Sequence, residues 1–160
     1  MASASQESRQ IIEILKQGPA RIKKATRGVP TKQLHMRTDE EPWSISDILI
    51  HLRACSDVWG DTIVNMLAKD NPSQAYKSPR AFMKKPKYQN QEFADALEAY
   101  IQERQKLVKV LMDLDESGWS RPGTYTGVTP RQRDQTVLSL AKRIVDHEQP
   151  HLDQIETLLK

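Results

Sequence analysis

Residues 41–70 read EPWSISDILIHLRACSDVWGDTIVNMLAKD. Ser44 stands before an apolar-periodic run and Asp47 follows three positions later. In that arrangement the serine hydroxyl accepts from a first-turn backbone N–H and the acid returns a bond to the serine N–H. A helix is therefore predicted to start near Ile45. Ile45, Ile48, Leu49, Leu52, Trp59, Ile63, Met66 and Leu67 recur at helical spacing, and such a stripe is stable only when buried against other elements. His51 and Cys55 fall along one flank of it, so a histidine faces a partly buried interior.

Three further helical patterns accompany this one. The first runs from about Ser8 to Thr26 with Ile11, Ile12, Leu15 and Ile22 apolar, and Gly18-Pro19 interrupts it as a kink or a restart. The third runs from about Gln91 to Asp115 with Phe93, Leu97, Tyr100, Leu107, Val108 and Leu111 on one face and Arg104 in the middle of that face. The fourth is predicted to begin at Thr129-Pro130, an N-cap followed by a favoured first residue, and to reach nearly to Lys160. Its stripe is Val137, Leu140, Ala141, Ile144, Ile155 and Leu158. Between the second and third lies NPSQAYKSPRAFMKKPKYQNQ (71–91), long enough to carry the chain from one end of a bundle to the other. No hairpin or βαβ pattern and no internal repeat stands between the helices. The expected fold is all-α, a four-helix bundle with a long crossover between helices two and three.

A chain of 160 residues, 38% hydrophobic and 28% charged, is expected to be a single domain over residues 1–160 with a substantial core. The start, MASASQESRQIIEIL, lacks a basic region followed by a long apolar run, and no segment has the apolar length to span a bilayer; a soluble cytoplasmic protein is expected. Cys55 is the single cysteine, so no intramolecular disulfide can form. A net charge of +3 does not by itself indicate nucleic acid.

Near the C-terminus, DHEQPHLDQIETLL (146–159) contains H-E-x-x-H, the spacing with which two helical histidines aim at one zinc. A peptidase ranks last among the readings. Pro150 lies between the histidines, where it removes a helical N–H and forces a kink or a shift in hydrogen bonding. Only nine residues follow His151 and none is a histidine, so a third ligand must come from upstream. Projected at 100° per residue, His147, Glu148 and His151 all lie on the apolar stripe of the fourth helix. His51 supplies the third imidazole, and three imidazoles make an open set for zinc, nickel or iron. His35, in the connection before the second helix, is expected at the surface.

The segments WSISDILIHL (43–52) and DHEQPHLDQI (146–155) resemble the two signatures of the DinB/YfiT-like metalloenzymes. The first is a tryptophan and a small polar cap leading to a histidine before leucine. The second is a histidine pair four apart followed by leucine and then Gln-Ile. The resemblance implies a four-helix bundle with its long connection between helices two and three. It also implies one divalent metal held by His51, His147 and His151, and a homodimer. Relatives in that family include thiol-dependent transferases and isomerases that use low-molecular-weight thiols as co-substrates. Pro150 inside the histidine pair departs from the pattern.

The leading expectation is therefore a metal-dependent enzyme acting on a small molecule, a thiol-dependent S-transferase or isomerase. The close alternative is a metal-dependent hydrolase, in which water replaces the thiol. A third reading is a non-enzymatic, stress-related binding protein with structural histidines. Glu148 is the candidate catalytic residue, a general acid or base beside the metal, and its competing reading is a buried ion pair with Arg104. Cys55 reads first as a small buried hydrophobe, and Trp43 and Trp59 as packing residues that can wall a pocket mouth. The crossover carries Lys69, Lys77, Arg80, Lys84, Lys85 and Lys87 with Tyr76, Phe82 and Tyr88 interleaved. That composition suits a solvated loop, a single-strand-binding surface, or a source of positive charge above the metal.

Overall fold

The computed structural model describes residues 4–160. In chain order the elements are α1 (Gln6–Thr26), α2 (Thr31–Leu34), α3 (Ile45–Ala68), β1 (Ser73–Ala75), α4 (Pro79–Phe82), α5 (Phe93–Met112), α6 (Glu116–Trp119), β2 (Pro122–Thr126), α7 (Pro130–Arg133), β3 (Asp134–Thr136) and α8 (Val137–Leu158). The long helices α1, α3, α5 and α8 form the bundle. α8 packs on α1 and α3, and α5 packs on the same two helices from the other side. No helix is long and apolar enough to cross a membrane among the described residues.

The start of α3 follows the local code. Ser44 Oγ accepts from Asp47 N at 3.0 Å, and Asp47 Oδ2 accepts from Ser44 N at 2.8 Å. The start of α8 is a correction: Pro130 opens only the single turn α7, and the long helix begins at Val137. Thr136 Oγ1 accepts there from Ser139 N at 3.0 Å, and Ser139 Oγ accepts from Thr136 N at 2.8 Å. Residues 134–136 are extended because they pair with β2. That sheet runs β1-β2-β3, with β1 parallel and β3 antiparallel to β2. It ties the crossover to the connection before α8. It is seated on α3 through Tyr125, which donates to Thr62 Oγ1 at 2.7 Å, and through Gly123, where a Cβ would meet Met66 Cγ at 2.6 Å.

Both helix-internal prolines are accommodated, for different reasons. Pro19 cannot bond the carbonyl of Leu15, which is fully buried, and Arg104 Nη1 donates to that carbonyl instead at 3.0 Å. Pro150 releases the carbonyl of Asp146, which is exposed, so solvent can satisfy it and α8 runs on to Leu158.

The apolar interior divides into two clusters. One gathers Ile11, Leu15, Val58, Ile63, Leu111 and Ile144 among others, and the second gathers Ile22, Leu49, Phe93, Leu97, Leu152 and Ile155. The change from one to the other falls between Leu15 and Ile22 on α1, between Leu52 and Cys55 on α3, between Tyr100 and Leu107 on α5, and between Val145 and Leu152 on α8. At or beside that level sit Gly18, Pro19, His51, Ser56, Arg104, His147 and Glu148. The buried charged and imidazole groups thus gather in one layer between two apolar ones.

Candidate metal centre

Because α3 and α8 pack along each other, the helix-two histidine meets the helix-four pair. One ring nitrogen each from His51, His147 and His151 lies within 4.8 Å of the others. Nε2 of His51 and Nε2 of His147 are 2.8 Å apart. All three pairs of ring centroids are separated by 5.0 Å, with interplanar angles of 65°, 78° and 63°. T-shaped contact is common in aromatic packing as well; it is the approach of one ring nitrogen from each residue that allows a shared ion. Separation by four residues on α8 is what puts His147 and His151 on one face.

Burial sets their charge. His51 is 5% exposed, and its pKa is pushed down to about 3 by that burial first, and then by His147, His151 and Arg80. The pKa of His147 is lowered by burial, by His151, and by Arg143 and Arg80. Both are therefore neutral at pH 7, the form that offers a nitrogen lone pair. Gln154, one turn beyond His151, places its Oε1 3.2 Å from His151 Nδ1, and its amide nitrogen donates to Glu41 Oε2 at 3.0 Å. That chain makes Nδ1 the protonated nitrogen of His151 and leaves Nε2 as its lone-pair nitrogen. A set of three imidazoles fits a borderline first-row divalent ion such as zinc, nickel or iron.

Aromatic side chains wall the cluster. Trp43 lies 4.8 Å from the His51 ring and stacks at 6.4 Å on His151, and Trp59 lies T-shaped on His147 at 5.4 Å. Cys55 Sγ is 3.6 Å from His51 Nε2, yet burial pushes its pKa up to about 12, so it stays a thiol and packs as a small hydrophobe. His35, exposed at the end of α2, lies outside the centre.

Glu148 sits in the same layer, and its oxygens are engaged. Oε1 accepts from Tyr100 Oη and from Arg104 Nη2 at 2.8 Å, and Oε2 accepts from Arg104 Nη1 at 3.1 Å. Glu148 and Arg104 are each 2% exposed. Burial raises the carboxyl's pKa and lowers the guanidinium's, because desolvation penalises the charged forms. The two-point contact between them opposes both shifts and holds the pair ionised. Sequence reading did not single out Arg143, which lies over the Trp59 ring at 4.8 Å. Its position one helical turn before His147 was the available signal.

The sequence profile of the DinB superfamily matches residues 14–155, a span that includes all three histidines. No curated protein matches the chain in sequence. Among solved structures, YfiT from Bacillus subtilis, described as "a probable metal-dependent hydrolase with an unusual four-helix bundle topology", superposes with a TM-score of 0.80 at 17% identity, covering 99% of this chain and 89% of that one. The bundle, the crossover and the family match lead to one assignment: the chain belongs to the DinB superfamily.

Proposed function

We propose that the chain is a metal-dependent enzyme in which His51, His147 and His151 hold one divalent ion and a small-molecule substrate reacts beside it. The observation that carries this reading is the convergence of three imidazoles from two helices, with their ligand atoms within 4.8 Å of one another. An ion of this class supplies Lewis acidity, bringing the pKa of a water or thiol that reaches it toward neutrality.

Glu148 decides between the nucleophiles. Water as nucleophile is best served by a nearby free carboxylate base, and here that carboxylate is held by Arg104 and Tyr100. A thiol loses its proton with far less help. This favours thiol-dependent transfer or isomerisation, with a low-molecular-weight thiol as co-substrate, over the hydrolysis ascribed to YfiT. Glu148 then serves the fold through its pair with Arg104, and proton transfer falls to the substrates.

The crossover offers little to nucleic acid. Tyr88 is 1% exposed and donates to Asp57 at 2.5 Å, Phe82 lies under the Lys85 ammonium at 3.7 Å, and Tyr76 packs T-shaped on Tyr125 at 5.2 Å. Rings occupied in this way do not form a stacking platform for bases.

The test is metal content, by plasma mass spectrometry, of untagged protein beside His51→Ala and His147→Ala/His151→Ala. Wild type should carry about one zinc, nickel or iron per chain and both variants should lose it. A wild type that neither carries nor takes up any of these metals would sink the reading.

A further inference from the structure

We propose that Arg80 and Arg143 form an anion-recognising rim over the three histidines, so that the substrate of this site is a small molecule bearing a carboxylate or phosphate group. The inference rests on the metal-centre reading above and adds the chemical class of what binds there.

Each guanidinium lies on an indole that itself touches a histidine. Arg80, from α4 in the crossover, is 5.0 Å from the Trp43 ring, and Trp43 is 4.8 Å from His51. Arg143, one turn before His147 on α8, is 4.8 Å from the Trp59 ring and 5.6 Å from Tyr76, and Trp59 is 5.4 Å from His147. The two arginines therefore reach the site from different elements, one from the crossover and one from the bundle.

Their charges are free, as are those of Arg9, Arg27, Arg131 and Arg133, but Arg80 and Arg143 rest on the two indoles that touch the histidines. Arg21, Arg37, Arg53, Arg104 and Arg121 are each in an ion pair with a carboxylate. Among the described residues Arg80 and Arg143 have no such partner. The acidic groups of the neighbourhood are engaged elsewhere: Glu148 with Arg104, Asp146 with Lys142 at 2.9 Å, and Glu41 with Gln154. What remains facing the centre is three imidazoles and two cations. The indole N–H of Trp59, 3% exposed and without a hydrogen-bond partner, is a further donor in the same wall.

The chemistry of the rim selects the ligand. A guanidinium presents its N–H groups in a planar fork that matches the paired oxygens of a carboxylate or phosphate. Resting on an aromatic face limits the rotamers it must give up on binding. Arg143 is half-buried and Arg80 exposed, so an uncharged substrate would forgo the charge-assisted hydrogen bonds that both guanidiniums offer an anion. The sequence reading allowed the basic crossover to supply charge above the metal; in the fold, Arg80 is the crossover residue that does so.

The test titrates the full-length chain, zinc-loaded and metal-free, with succinate, inorganic phosphate and succinamide, following tryptophan fluorescence and heat, with zinc content measured on every sample. Succinate or phosphate should bind and succinamide should not, and the tighter of the two anions identifies the group recognised. Arg80→Gln and Arg143→Gln should each weaken the anion roughly tenfold, Arg80→Lys and Arg143→Lys should weaken it less, and zinc content should stay at the wild-type level. Succinamide binding as tightly as succinate, or anion affinity unchanged in both glutamine variants with zinc in place, overturns the inference. So does a zinc-loaded wild type that binds neither anion. A chain that takes up no zinc yet binds an anion in an arginine-dependent way overturns the metal centre and leaves the rim standing.

Discussion

Gly18 of α1 and Glu148 of α8 leave no space between them: a methyl group built on Gly18 would stand 2.6 Å from a Glu148 carboxylate oxygen. Gly→Ala inside a helix ordinarily stabilises by about 1 kcal/mol. Here the oxygen that would have to move, Oε2, accepts from Arg104 Nη1 at 3.1 Å, so the methyl must displace a buried ion pair. Gly18→Ala is expected to lower stability by about 1–2 kcal/mol, the cost of overpacking less the gain in propensity. Urea denaturation reads the sign directly. A stabilised variant would show that the pair yields easily.

Removing the charge of Glu148 without its volume isolates the ion pair. Glu148→Gln leaves the Arg104 guanidinium, 2% exposed, without its counter-charge, and breaking a buried pair from one side costs about 3–5 kcal/mol. The variant should melt well below wild type yet, if it still folds, take up as much zinc, because the three imidazoles are untouched. An unchanged denaturation midpoint would return Glu148 to the free acid/base groups of the centre.

How far the sequence shows all this depends on how local each signal is. Ser44, Asp47 and Ile45 specify the start of α3 within four residues, and the structure has that capping box. The histidines were legible because positions four apart on α8 must share a face, and because His51 flanks a stripe that has to be buried. Thr129-Pro130, by contrast, carries as good a start signal as Thr136-Val137. What stops the helix from beginning there is the pairing of residues 134–136 with β2. β1 is three residues long and finds its partner some fifty residues away, so no periodicity announces it. Gly18-Pro19 looks like a break along α1 alone; the carboxylate it makes room for and the guanidinium that caps its free carbonyl come from two other helices.

The capping box at Ser44 gives a pH signature. Burial pushes the Asp47 carboxyl up, but bonds from Arg37 and from Ser44 outweigh it, and the folded pKa lies below the ordinary 3.8. A carboxylate depressed in this way contributes all of its stability above the unfolded value and loses it as pH falls through the folded one. Asp47→Ala should therefore cost about 1 kcal/mol at pH 7. The gap from wild type should hold steady down to about pH 4 and close below it. Denaturant midpoints for both proteins between pH 7 and pH 2 test this. A gap that widens toward acid contradicts the assignment.

Gln154 offers a test of the metal centre that leaves every histidine in place. Its Oε1 faces His151 Nδ1 at 3.2 Å, and Glu41 holds the other end of the amide at 3.0 Å. If His151 donates its Nε2 lone pair to an ion, this contact keeps the proton on the opposite nitrogen and fixes the plane of the ring. Outer partners of ligating histidines typically contribute ten- to a hundredfold in metal affinity. Gln154→Met keeps the length and apolar bulk but removes the acceptor, so zinc affinity, measured by competition with a chromophoric chelator, should fall at least about tenfold. Glu41→Gln, one bond further out, should fall less. Because the side chain of Gln154 is half-buried, its loss should shift the metal-free denaturation midpoint little, which separates weakened ligation from weakened folding. Equal zinc affinity in Gln154→Met and wild type would mean that His151 does not need this contact to present its nitrogen, and would count against His151 as a ligand through Nε2.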